Sequence, residues 1–231
     1  MKKIYYVCKS KLSFMTYSEE NYLKAIYHLS LFQKKDVNTN AIAKMIDTKA
    51  SSVTDMIKKL AEKGLIEYQK YQGVTLTELG LYSAKMIVRK HRLWEVFLVE
   101  KLDFSWDEVN DVAEELEHIN SEKLIDKLDA FLGFPTEDPH GDPIPNTKGE
   151  IKNTDKILLS DLKINQRSIC VGVKDTSSEF LKYLDKQQIA LGSNFEIIEK
   201  ESFDASLTLI VNGNKINISH KIASNLYVKT I

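Results

Sequence analysis

One stretch constrains the fold more than any other: VNTNAIAKMIDTKASSVTDMIKKLAEKGLIEYQKYQGVTLTELG, residues 37–80. Its apolar residues recur first at helical spacing, which predicts a short helix near 40–46 and a second near 50–63, separated by a tight turn through Asp47–Lys49. Gly64 follows as a residue able to take the left-handed conformation that closes a helix. LIEYQKY then alternates as a strand does, Gln72-Gly73 turns, and VTLT alternates back. Helix, turn, helix and a two-stranded wing is the order of a winged helix-turn-helix. On the inner face of its second helix, Val53, Ile57 and Leu60 are expected to be core rather than contact residues.

The flanks extend this frame. TYSEENYLKAIYHL reads as an amphipathic helix through Tyr22, Ile26 and Leu29, with Ser18 as its N-cap. The preceding MKKIYYVCKSKLSF has too short an apolar part for a signal peptide and no small-residue cleavage site, so Met15 is the expected translation start. Thr77 opens a long helical region through LYSAKMIVRKHRLWEVFLVEKL. DEVNDVAEELEHI and SEKLIDKLDAFLG are two further helices, the last ending at Gly133. The prolines gather in FPTEDPHGDPIPN, an irregular segment. Beyond about residue 150 the texture changes to short β-rich runs, ICVGV, FEIIEK, SLTLIV and KINIS, interrupted by one helix, SSEFLKYLDKQ. Asn212-Gly213 between two of the runs is a hairpin signal, and several short strands in so little chain predict a small barrel. The expected class is mainly α with β.

A net charge of −1 argues against a nonspecific polyanion binder, but not against a protein whose bases are concentrated on one surface. With two cysteines and no CxxC pair, neither a thiolate zinc site nor a disulfide framework is expected, which fits a reducing cytoplasm. No apolar run is long enough for a membrane helix.

VAEELEHIN, residues 112–120, poses a question of charge. On a helix, Val109, Val112, Leu116 and Ile119 fall on one side, and Glu114, Glu117 and His118 nearly opposite with Asn110 beside them. Like charges three and four apart repel, and no Lys or Arg lies between Asp107 and Glu122. Either the face is simply solvated, or a cation sits on it; Glu and His at these spacings can hold one divalent ion. Two further clusters carry hard ligands: His91 and Glu95, four apart in KHRLWE, and Asp138, His140 and Asp142 in the loop DPHGD.

Taken together, ENYLKAIYHL, SSVTDMIKKLAEKGLIEYQKYQGVTLTELG, RKHRLWEVFL, EELEHI and DPHGDPIP resemble the metal-dependent repressors of the diphtheria toxin repressor and manganese transport regulator family, over nearly everything after Met15. Beyond the N-terminal extension (1–14) set off by Met15, the resemblance implies a winged helix-turn-helix DNA-binding domain (15–86), a helical dimerisation and metal-binding domain (87–149) and a C-terminal SH3-like, FeoA-like domain (150–231). It implies two groups of metal ligands: Asn21 with Glu114, Glu117 and His118; and His91 with Glu95, completed by Asp138, His140 and an acid near Asp175, for which Asp175 and Glu179 are the nearest. Glu179 has a rival explanation as the far end of a Thr176-x-x-Glu179 capping box. Asn21 stands where the family usually has Asp or Met, Glu114 where iron-selective members often have Cys, and Asn110 where some have a ligand His. A donor set of oxygen and imidazole without sulfur suits Mn²⁺, or Fe²⁺ where it is available, with Zn²⁺ or Co²⁺ able to substitute in vitro.

The resemblance implies a homodimeric repressor on double-stranded operator DNA that controls metal-uptake genes, and no small organic substrate. Ser51, Ser52 and Thr54 would face phosphates and base edges, with Lys49, Lys58, Lys59 and Lys70 on phosphates. Two other classes compete. A winged-helix regulator indifferent to metal would bind DNA equally with and without chelator. A metal-dependent enzyme would need a phosphate loop or nucleophile motif, and none is present.

Overall fold

The computed structural model describes residues 15–32, 37–69, 73–152 and 155–231; the expectations for residues 1–14, Lys70 and the Gln72 turn lie outside them. The chain forms two compact units. The first comprises Met1–His91, Glu114–Asp126 and Pro145–Glu150, the second Arg92–Ala113, Lys127–Ile144 and Ile151–Ile231.

The first unit opens with α1 (Tyr17–Phe32), α2 (Thr39–Met45) and α3 (Ala50–Glu62). The cap of α1 belongs to Thr16 rather than Ser18. The Thr16 hydroxyl accepts from Glu19 N–H at 3.3 Å, and Thr16 N–H donates back to Glu19 Oε2 at 2.7 Å, a reciprocal box that starts before the Ser18 expected from the sequence. Asn38 caps α2 by accepting from Ala41 N–H. Asp47 takes φ 47° in the turn that follows. At the end of α3, Gly64 adopts φ 69° and Leu65 N–H reaches Leu60 O at 3.0 Å, which satisfies a terminal carbonyl across the glycine. Val53, Ile57 and Leu60 are fully buried, as the periodicity of α3 requires.

β1 (Ile66–Gln69) and β2 (Gly73–Leu76) pair antiparallel as the wing, and Val37 bridges to Val74 on its other side. Thr77 caps α4 (Glu78–Leu102) by accepting from Gly80 N–H. Gly80 presses on the residue that leads into the wing: a Cβ there would lie 1.8 Å from Leu65 O.

The helical part continues with α5 (Val109–Leu116) and α6 (Glu122–Phe131). The sequence reading carried the first of these through Ile119. Instead α5 stops at Leu116, and Glu117 and His118 occupy the turn after it, closed by Ile119 N–H to Leu116 O. The helical wheel fails here for that reason. Glu117 is 0% exposed while Ile119 is 37% exposed, the reverse of an apolar face turned inward.

The second unit includes one antiparallel sheet of six strands: β3 (Ile157–Leu158), β4 (Arg167–Val173), β5 (Asn194–Lys200), β6 (Leu207–Val211), β7 (Asn214–Ile218) and β8 (Leu226–Thr230), ordered β3-β8-β4-β5-β6-β7. Register shifts in β4 and β5 bend the sheet around a core that includes Leu181, Leu184, Phe195, Ile197 and Leu209, with α7 (Ser178–Lys186) supplying the first two. The β6–β7 hairpin turns through Asn212 and Gly213, both at positive φ. β3 and β8 were not foreseen: β3 is two residues long, and β8 is a C-terminal return that pairs between β3 and β4. Among the described residues no helix is long and apolar enough to cross a membrane.

Candidate metal centres

In the first unit, three segments bring acids and an imidazole together. His91 comes from α4, Glu114 from the last turn of α5, and Glu117 from the turn beyond it; ligand atoms of the three lie within 4.8 Å of one another. Lys24 of α1 reaches into the same cluster, with Nζ 2.6 Å from Glu114 Oε2 and 2.7 Å from Glu117 Oε2. His91 Nδ1 lies 2.7 Å from that same Glu117 oxygen. The cation that the acidic stretch called for is therefore a lysine from another helix, which no inspection of residues 107–122 alone could reveal.

The other Glu117 oxygen, Oε1, is buried without a hydrogen-bond partner among the described residues, and so is Asn21 Oδ1. Asn21, Lys24 and Glu114 line one cleft of about 910 Å³. Burial raises the Glu117 carboxyl, but the His91 hydrogen bond and the Lys24 charge outweigh it and hold the group below its ordinary value.

His118 turns elsewhere. Its Nδ1 lies 2.6 Å from Glu20 Oε2, and its ring stacks on Tyr17 at 4.6 Å. Lys90 Nζ stands 3.6 Å from Glu20 Oε1, and burial pulls its ammonium below the ordinary lysine value despite the facing Glu20 and Glu117 charges. Glu20, Lys24 and Lys90 were missed by sequence reasoning. The available signal was spacing: Asn21 and Lys24 are three apart on α1 and so share a face.

The second unit holds another cluster, Glu95, Asp138 and His140, all three buried. His91 and Glu95, grouped together by sequence, thus go to separate clusters. The DPHG loop is internally bonded: Asp138 Oδ1 accepts from the backbone N–H of His140 and of Asp142. His140 O accepts from Val173 N–H of β4 at 2.9 Å, and a Cβ on Gly141 would fall 2.1 Å from Val171 O. Glycine, at φ 79°, is what lets the loop lie against the strand.

His140 Nδ1 faces Glu95 Oε1 at 3.4 Å, Nε2 donates to Trp106 O at 2.8 Å, and the ring stacks on Trp106. Burial pulls the His140 imidazolium down, but Glu95 and Asp138 prevail and push it up to about 9. Burial and then the Glu95 charge raise Asp138 to about 7, against the Arg92 guanidinium 3.3 Å away.

Asp175 and Glu179 do not enter either cluster. Asp175 Oδ1 accepts from Ser177 N–H, and Glu179 is exposed in the first turn of α7. The capping-box reading of Glu179 also fails, because Ser177 rather than Thr176 is the N-cap and makes no side-chain cap bond.

On α3, Ser51, Ser52, Lys58 and Lys59 are exposed, as is Lys49 just before it. The Thr54 hydroxyl donates to Ala50 O, and Lys58 lies 3.6 Å from Asp55 across one turn. This leaves an outward row of short hydroxyls and ammonium groups opposite the buried Val53, Ile57 and Leu60.

Comparison with known proteins agrees with this architecture along its length. Residues 14–74 match the iron-dependent repressor N-terminal DNA-binding domain, residues 77–146 the iron-dependent repressor metal-binding and dimerisation domain, and residues 157–230 the FeoA domain. The chain is 37% identical over 118 residues to an uncharacterized HTH-type transcriptional regulator of Methanocaldococcus jannaschii, covering 51% of this chain and 94% of that protein. It is 32% identical over 152 residues to the HTH-type transcriptional regulator MntR of Oceanobacillus iheyensis, covering 65% of this chain and 96% of that one. A solved structure of a manganese-dependent transcriptional repressor in complex with manganese superposes with a TM-score of 0.82 at 33% identity, over 92% of this chain and 100% of that chain.

The fold is that of a DNA-binding transcriptional regulator with a winged helix-turn-helix, a helical domain and an SH3-like sheet domain. The chain belongs to the iron-dependent repressor family.

Proposed function

We propose that this protein is a metal-dependent transcriptional repressor that senses Mn²⁺, or Fe²⁺, and acts in the cytoplasm as a homodimer on operator DNA of metal-uptake genes. The observation that carries the reading is the cluster of His91, Glu114 and Glu117 with two buried, unpartnered oxygens, Asn21 Oδ1 and Glu117 Oε1. A donor set of carboxylate, amide and imidazole without sulfur fits a hard or borderline divalent ion. A bound ion there supplies positive charge to two carboxylates that otherwise depend on Lys24.

The chain's own residues do the rest. Asn21 ties α1 to the site, and α1 packs on α2. Closing Asn21, His91, Glu114 and Glu117 on one centre fixes the helix-turn-helix against α4 and so favours one DNA-competent arrangement. Ser51, Ser52, Thr54, Lys49, Lys58 and Lys59 then meet the duplex, with Lys70 as a further phosphate contact. Glu95, Asp138 and His140 would hold a second ion; Asp175 or Glu179 would join it only by leaving the Ser177 N–H contact or the exposed position each has in this structure. His118 would become a ligand of the first centre only by giving up its contact with Glu20. In this reading residues 15–86 bind DNA, 87–149 dimerise and hold metal, and 150–231 form the accessory domain. No residue is assigned a catalytic role.

Glu114 offers the clean test, because its side chain is 41% exposed and its loss leaves the Lys24–Glu117 pair in place. Glu114→Ala is expected to keep the unfolding midpoint of the protein without metal and to weaken Mn²⁺-promoted operator binding by at least about tenfold. Operator binding by this variant at wild-type Mn²⁺ concentrations would overturn the assignment.

A further inference from the structure

We propose that Lys24 is a built-in competitor for the first metal centre: its ammonium occupies the position between Glu114 and Glu117 and sets the metal concentration at which the site fills. The inference rests on the metal reading of that centre and adds its regulation.

The geometry is that of a cation site with a cation in it. Lys24 Nζ contacts one oxygen of each glutamate, at 2.6 and 2.7 Å. Its side chain is 12% exposed and Glu117 is wholly buried, so the contact is largely shielded from solvent and weakly screened by salt. Glu114 and Glu117 are both acidic and three apart, and without a counter-charge they repel. Lys24 removes that repulsion before any ion arrives.

A divalent ion bound by the same oxygens cannot share them with an ammonium. The ammonium must leave, and the cleft lined by Lys24, Ser18, His28 and Asp47 gives the side chain somewhere to go. Metal binding is then an exchange of one cation for another rather than an addition of charge, and the protein gives up an ion pair to make it. The exchange lowers affinity for each cation by a common factor, and so raises the concentration at which the site fills. It also keeps α1 docked on the acidic pair in both states, through Lys24 in one and through Asn21 in the other.

Lys24→Met keeps the length and helix preference of the side chain and removes its charge. Mn²⁺ affinity is measured without DNA, by competition against a fluorescent chelator, for the wild type, Lys24→Met, Lys24→Arg and Glu117→Gln. Thermal unfolding of each is followed with and without Mn²⁺. Lys24→Met is expected to bind Mn²⁺ about tenfold or more tightly than the wild type, the size of effect that one adjacent opposite charge has on a carboxylate. Its midpoint without metal should fall and its metal-induced rise should grow, while Lys24→Arg stays near the wild-type affinity.

Unchanged or weaker binding by Lys24→Met, with binding still abolished in Glu117→Gln, would overturn the competitor role and leave the metal centre standing. Equal binding by all four proteins would overturn the centre itself, and the proposal with it.

Discussion

Glu117→Gln is expected to abolish Mn²⁺-promoted operator binding and to cost the protein about 2 kcal/mol of stability at neutral pH. Glutamine preserves the shape of a side chain that is 0% exposed, so any loss comes from charge and not from a cavity. Glu117 Oε2 accepts from both Lys24 and His91, and these would be left facing an uncharged acceptor. Removing one partner of a buried pair commonly costs about 3–5 kcal/mol; here Glu114 still accepts from Lys24, which brings the expectation down.

The sign of the pH dependence follows from the same contacts. The folded-state Glu117 carboxyl lies below its unfolded value of 4.5, so its contribution is present above that pH and is lost as pH falls through the folded value. Denaturant unfolding of wild type and variant at neutral and acidic pH should therefore show a gap that closes in acid. A gap that is constant with pH would mean that the charge contributes nothing.

Gly141→Ala should destabilise the second unit by about 3 kcal/mol or more. Two effects add. The residue sits at φ 79°, where a Cβ costs about 1–2 kcal/mol. The new carbon would also lie 2.1 Å from Val171 O, a backbone atom that cannot rotate away, and such overpacking typically costs about 1–3 kcal/mol. Gly192→Ala is the matched control: φ is 84°, yet nothing among the described residues lies within 4 Å of its Cβ, so only the conformational cost of about 1 kcal/mol is expected. Equal losses in the two variants, by thermal unfolding, would show that the DPHG loop does not press on β4. Because Gly141 follows His140, lifting the loop would also draw His140 and Asp138 away from Glu95.

The DNA-reading half was legible because its signals are local. Asp47, Gly64, Thr77 and the alternation of the wing each act within a few residues, and they place the elements to within one or two positions. The SH3-like sheet was half legible: β4 to β7 announce themselves by composition, whereas β8 is a strand through its pairing with β3 and β4. The candidate centres were legible as residue types but not as groups. The i, i+4 spacing placed His91 and Glu95 together on α4, yet tertiary packing sent each to different acids. Periodicity likewise turned Glu117 outward, because it assumed that α5 continued past Leu116. Lys24 was invisible for a simpler reason: its partners lie 90 and 93 residues away in the chain.

Metal binding at the first centre is expected to gate DNA binding. The most direct measurement is a fluorescence-anisotropy titration of the purified protein on DNA from its own upstream region, at fixed salt, in chelator and then in Mn²⁺, anaerobic Fe²⁺ and Mg²⁺. Tight binding is expected with Mn²⁺ or Fe²⁺, and none with chelator or Mg²⁺. Equal binding in all four conditions would contradict it and make Glu114 and Glu117 a salt-bridged face of a regulator that answers to something else.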